Sequence, residues 1–274
     1  MWIRPFMKHV MRSFSFCSMQ SKRDVSRMQA LGVSNDRVAF AGSIKCDYDR
    51  QNSDLQCVQV LQDFITQQGG NALLIGASTH QGEEDALLHS YKSLLEEFPS
   101  LSLLLAPRHI HRLEEVEALI QRHGFTPIRK TFIDELEKNH DAKARFFVNL
   151  FNTSKGVYVL DTHGELAALF QFATIVWVGG SWVPVGGHNL MEPAQYGKPI
   201  LFGPYMDHVL EMAEMMVENG GAIQVFTIEA MTSEMAVLLR DQRKCDEVGT
   251  AARQVIENNQ GAVDLTLQTI KRVL

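Results

Sequence analysis

Residues 174–202 read TIVWVGGSWVPVGGHNLMEPAQYGKPILF. Two short apolar runs, Thr174 to Val178 and Ile200 to Phe202, bracket two glycine pairs and a polar segment. The pattern predicts strand, glycine turn, helix, strand. Gly179, Gly180, Gly186 and Gly187 have no Cβ, so the backbone there can turn left-handed and approach a bound group closely. Asn189 is expected near the start of the helix and Glu192 one turn on. Free N–H groups and the positive end of the helix dipole meet there, an arrangement that attracts phosphate.

The same alternation extends outward in both directions. Strands are predicted at 72–75, 101–105, near 127–129, at 157–160, 175–178, 200–202 and 223–226, with helices between and after them. A longer charged helical segment is expected over 133–150. Strands alternating with helices imply a parallel sheet covered on both faces. At the N-terminus, a strand ending at Met19, a helix opened by Ser21-Lys22-Arg23-Asp24 and closed at Leu31-Gly32, and a strand from Arg37 to Gly42 form one βαβ unit. Nothing before that unit supplies neighbouring strands, so the chain reads as one that starts inside a domain.

Composition sets the class. With 274 residues and 45% hydrophobic content the chain can bury a large core. Cys17, Cys46, Cys57 and Cys245 form no C-x-x-C pair, which points away from disulfide frameworks and thiolate zinc and toward a reducing setting. No apolar run approaches the roughly 20 residues that span a bilayer. Residues 1–30 carry six Lys or Arg against one Asp, a net +5, leaving −11 for the rest of a chain whose total is −6. The first segment mixes those cations with Trp2, Phe6, Phe14 and Phe16, as a segment resting on anionic lipid would; an ordinary solvated basic face is the plainer reading. The acidic body disfavours nucleic acid as a partner.

In parallel sheets ligands bind beyond the carboxyl ends of the strands. Four polar clusters fall at that edge: Gly76 to His80, Pro107 to His109, Asp161 to Glu165, and the glycine loop. Their agreement argues for one shared site. Arg108, led in by Pro107, is a phosphate donor fork or else pairs with Glu114 or Glu115; Arg112 on the next turn adds to the first reading. Glu192 can accept from the vicinal hydroxyls of a ribose, or simply stabilise a helix start. His80, His109, His163 and His188 sit on separate loops without ligand spacing, so polar histidines are expected there rather than metal ligands. Asp47-Tyr48-Asp49 has D-x-D form but reads as a hinge. The residues alone therefore describe a cleft for a phosphorylated, hydroxyl-rich ligand.

Taken together, GSIKCD (42–47), GASTHQGEE (76–84), PRHIHR (107–112), DTHGEL (161–166) and VGGSWVPVGGHNLMEPAQYGKPILFGP (178–204) resemble the 3-deoxy-D-manno-octulosonic acid (Kdo) transferases over nearly the whole chain. The resemblance implies the GT-B fold, two Rossmann-like halves across a cleft, and transfer of Kdo from CMP-Kdo to a lipid A precursor. It implies inversion at the anomeric carbon, no metal or cofactor, and work at the cytoplasmic face of the bacterial inner membrane. Carried over residue by residue, CMP is expected to be held by Pro107 and Arg108, by His163, Gly164 and Glu165, and by Asn189, Leu190, Met191 and Glu192.

Under this resemblance residues 1–45 are a remnant of the acceptor-side domain and 46–274 the donor domain. The family's general base would precede Met1, so no catalytic residue is assigned and the chain alone is expected to transfer sugar poorly. The stretch from Ile133 to Ser154 is longer than the family pattern. The alternatives are another GT-B transferase with a different nucleotide donor, and a non-catalytic nucleotide-sugar binding module.

Overall fold

Seven short runs become seven parallel strands, and the five inside the sheet are buried along nearly their whole length. The computed structural model describes residues 3–47, 55–67, 69–138 and 155–273. These fall into two compact units, one of residues 1–51 with 256–274 and one of residues 52–255.

The larger unit holds β3 (Ala72–Thr79), β4 (Leu101–Pro107), β5 (Thr126–Arg129), β6 (Gly156–Val159), β7 (Ile175–Val178), β8 (Ile200–Phe202) and β9 (Ala222–Gln224). They form one sheet in the order β5-β6-β4-β3-β7-β8-β9, every neighbouring pair parallel. Side chains alternate between faces along each strand. Leu101, Leu103 and Leu105 pack with Val157, Val159 and Trp177 against helices Glu83–Leu94, Leu113–Arg122 and Ile228–Arg240. Tyr158 points the other way and meets Phe64 of helix Leu55–Gln67 edge-on, at 6.2 Å between ring centroids. The predicted doubly covered parallel sheet is the fold.

Two local readings change. The segment Gly76 to Thr79 is strand, not loop: β3 runs on to Thr79 and pairs with β4 as far as Pro107. The pairing shifts register between Ala77 and Thr79, a bulge at Ser78, whose φ is 53°. The loop proper starts at His80. The helix expected over 133–150 starts earlier, at Lys130, and is described to Lys138; residues 139–154 lie outside the described residues.

The smaller unit contains the expected βαβ element. β1 (Cys17–Met19) and β2 (Val38–Phe40) pair in parallel around helix Lys22–Ala30. Ser21 caps that helix, its Oγ accepting the N–H of Asp24 at 2.9 Å. A helix Ile3–Met11 precedes β1. Asp47 accepts the N–H groups of Gly261 and Val263, each at 2.6 Å, and so caps the C-terminal helix Ala262–Val273. That commitment explains the first Asp of the D-x-D sequence; Tyr48 and Asp49 lie outside the described residues.

Candidate functional site

The strand order creates a topological switch point. From β3 the chain moves to β4 on one side, and from β7 it moves to β8 on the other, so the loops leaving these neighbours part and open a crevice. The four polar clusters lie at the carboxyl ends of β6, β4, β3 and β7, which are consecutive neighbours. Parallel pairing then places all four at one end of the sheet.

A carboxylate ties the crevice together. Glu83, fully buried at the start of the helix after β3, accepts four backbone N–H groups. They come from His80 (2.8 Å), Gly180 (2.7 Å), Ser181 (3.0 Å) and Trp182 (2.8 Å). Burial holds its pKa above the ordinary carboxylate value, and the four N–H donors oppose that shift without cancelling it. With both oxygens facing donors, a carboxyl proton would have no acceptor, so the group acts as an anion. The first turn of the glycine loop thus wraps a carboxylate of the protein itself. Farther along, Gly186 and Gly187 both donate to the Gly180 carbonyl, at 3.1 and 2.7 Å. The glycines serve this internal packing. A Cβ on Gly179 would lie 2.4 Å from the Ser78 carbonyl oxygen, and one on Gly186 would lie 2.7 Å from the His208 ring.

Helix Met191–Gln195 is a single turn, with Glu192 as its second residue and not one turn in. Asn189 organises it: Oδ1 accepts the N–H of Met191 at 2.9 Å and Nδ2 donates to Glu192 at 2.9 Å. Leu190 and Met191 are buried, while Asn189 and Glu192 are partly exposed.

Pro107 ends β4 and Arg108 is exposed beyond it, its N–H donating to the Thr79 carbonyl at 2.9 Å. That bond clips the β4 loop to the β3 loop. Among the described residues no carboxylate pairs with the Arg108 guanidinium. Arg112, which the sequence grouped with it, does something else. It donates to buried Glu84 at 2.9 and 3.3 Å and to Glu115 at 3.0 and 3.3 Å. Arg112 neutralises a buried carboxylate and is not available to a ligand.

After β6, His163 and Gly164 are exposed and Gly164 has φ 89°. Glu165 faces inward to Lys130 Nζ at 2.7 Å and also accepts from the Thr162 hydroxyl. Lys130 is 5% exposed and pairs with Asp134 at 2.7 Å as well. Burial lowers its pKa, but the two carboxylates outweigh it and hold the ammonium above its ordinary value. Thr131 adds a second tie, its N–H and hydroxyl both donating to Asp161. Lys130 and Thr131 were not read as site residues; their only signal was their position directly after β5.

Three of the four loop histidines converge and His163 does not join them. His80 and His188 bring their Nε2 atoms to 2.7 Å with rings 13° from parallel, and His109 sets its ring edge-on to His80 at 5.5 Å. Burial, together with His80, Arg108, His208 and His109, pushes the His188 pKa down to about 4. Burial and then His109, Arg112 and Arg108 lower that of His80. Ring nitrogens this close share a hydrogen bond. Among the described residues no group of three His, Cys, Asp or Glu side chains is set to hold a metal ion.

The doubly wound parallel sheet, with its loops gathered at a switch point, has the Rossmann-like arrangement of each half of a GT-B glycosyltransferase fold, as its structural matches bear out. Its match to the C-terminal CMP-Kdo binding domain of WaaA from Acinetobacter baumannii has a TM-score of 0.60 at 22% identity, covering 73% of this chain and 96% of that one. A glycosyltransferase from Rickettsia africae matches with a TM-score of 0.62 at 14% identity, over 99% of this chain and 67% of that one.

In sequence the chain is similar to the Kdo transferases along nearly its whole length, as the motifs indicated. It is 29% identical to the 3-deoxy-D-manno-octulosonic acid transferase of Haemophilus influenzae over 99% of this chain and 60% of that protein. With the Aquifex aeolicus enzyme the identity is 28%, over 85% of this chain and 56% of the relative. The family model described as 3-deoxy-D-manno-octulosonic-acid transferase (kdotransferase) matches residues 1–48. The chain spans 60% or less of the length of these two relatives.

Proposed function

We propose that this chain is the donor-binding part of a Kdo transferase, with the CMP portion of CMP-Kdo in the crevice at the ends of β6, β4, β3 and β7. One observation carries the reading: four neighbouring strands deliver polar loops to one edge, and Arg108 stands there exposed with no carboxylate partner among the described residues. A guanidinium in that position suits a phosphate, and its charged hydrogen bonds are worth about 1.5–3 kcal/mol each. Asn189 steadies the Glu192 carboxylate for the ribose hydroxyls. Backbone groups from His163 to Glu165, held by the Lys130 pair, take the cytosine.

Under the same proposal the sugar passes with inversion to a lipid A precursor at the cytoplasmic face of the inner membrane. Arg108 balances the charge that develops on the departing phosphate, without a metal ion.

Calorimetric titration with CMP and UDP tests the reading. CMP is expected to bind at least about tenfold more tightly, a difference of about 1.4 kcal/mol. Preference for UDP would point to a GT-B transferase with another donor, and absence of binding by either nucleotide would remove the donor-site assignment.

A further inference from the structure

The histidine cluster has no role in the donor-site reading above, yet it lies where that reading puts the phosphate. The ring of His80 leaves the end of β3 and that of His188 leaves the glycine loop, so the pair bridges the two sides of the switch point. We propose that His80 and His188 are a further anion-binding element of the donor site, taking up one proton as a pair when a cytidine phosphate docks beside Arg108.

The geometry fixes the proton inventory. Two neutral imidazoles carry one N–H each, and at 2.7 Å one Nε2–H must donate to the other Nε2. The donor ring then has a bare Nδ1. An added proton goes onto that atom and turns the pair into a cation without breaking the shared bond. In the free protein the surroundings oppose this. Arg108, His109 and Arg112 face His80 from the β4 loop, and His208 faces His188 from the β8 loop. Glu83 accepts the His80 backbone N–H and is occupied by three more N–H donors. Glu84 is taken by Arg112. Among the described residues no carboxylate bonds either ring. Burial and the nearby Arg108 and Arg112 charges together keep the pair neutral near pH 7, with His188 at about 4.

A phosphate reverses the balance. An opposite charge within about 4–6 Å raises such a pKa by about 1–3 units. The inference rests on the donor-site reading, because it needs the phosphate beside Arg108. It adds that the site gains positive charge only when filled.

The test titrates the full 274-residue chain with the methyl ester of cytidine 5′-monophosphate, whose single phosphate charge does not change across the range used. Affinity is expected to rise about tenfold from about pH 8 to about pH 5.5, since one pKa unit corresponds to a factor of ten. In the lower part of that range the heat should differ between buffers of unequal ionisation enthalpy, in the sense of proton uptake by the complex. In His80→Asn and His188→Asn the rise should shrink to under twofold. Affinity that is flat with pH, and heat independent of buffer, would overturn the inference while leaving the donor site intact. Uptake that persists in both variants would overturn it too, by moving the proton to another group. Absence of binding at every pH would remove the donor-site reading and the inference with it.

Discussion

Glu83 and Gly180 are 97 residues apart in sequence, yet Glu83 Oε2 accepts the Gly180 N–H at 2.7 Å in a fully buried position. This bond holds the two sides of the switch point at fixed separation, and the N–H groups of Ser181 and Trp182 follow it onto the same carboxylate. The shape of the crevice depends on an internal anion.

Glu83→Gln keeps the size but turns an amide N–H₂ toward backbone donors. It is expected to destabilise the protein by about 2–3 kcal/mol in urea unfolding, because a buried site loses charge-assisted acceptors. A change below about 0.5 kcal/mol would show that the carboxylate is not the tie described.

Gly179→Ala tests the close approach of the β7 end to the β3 bulge. A Cβ there would sit 2.4 Å from the Ser78 carbonyl oxygen and 2.8 Å from Glu83 Oε2. Backbone must move to admit it, and a loss of about 1–3 kcal/mol in thermal or urea unfolding is expected.

Arg108→Ala and Arg112→Ala should behave in opposite ways. Arg108 is exposed, so its removal is expected to change stability by less than about 0.5 kcal/mol while weakening CMP by about 1.5–3 kcal/mol in calorimetry. Removing Arg112 leaves Glu84 buried without its partner, and a loss of about 3–5 kcal/mol of stability is expected. Equal effects of the two substitutions on unfolding would contradict the division of roles.

The free protein should lose stability in mild acid. His188 is held at about 4 against an ordinary 6.5, by burial first and then by His80, Arg108, His208 and His109. The unfolded chain therefore binds more protons between those values, so this contribution is complete above about pH 6.5 and is lost as the pH falls toward about 4. Urea midpoints across that window should slope downward toward acid, and His188→Asn should flatten the slope.

The strands were legible from the sequence because burial on both faces leaves an uninterrupted local mark. Runs such as Ile175-Val176-Trp177-Val178 cannot sit comfortably in any exposed segment. The assignment of their carboxyl-end loops to one edge followed from parallel pairing alone. The partners of the polar side chains were not legible in this way. Arg108 and Arg112 look alike in Pro107-Arg108-His109-Ile110-His111-Arg112, and only packing delivers Glu84 to the second of them. His80 and His188 looked like independent loop residues 108 positions apart.

By itself the chain's order of residues determined a parallel sheet, the polar content of its loops and a likeness to the Kdo transferases, since each depends on composition and spacing along the chain. Only the tertiary structure decided the strand order β6-β4-β3-β7, the occupation of the glycine loop by Glu83 and the pairing of the two imidazoles. The reason is physical. A side chain's burial is set largely by its own neighbourhood in sequence, but the partner that satisfies its charge or hydrogen bond comes from whichever distant strand end the fold brings alongside.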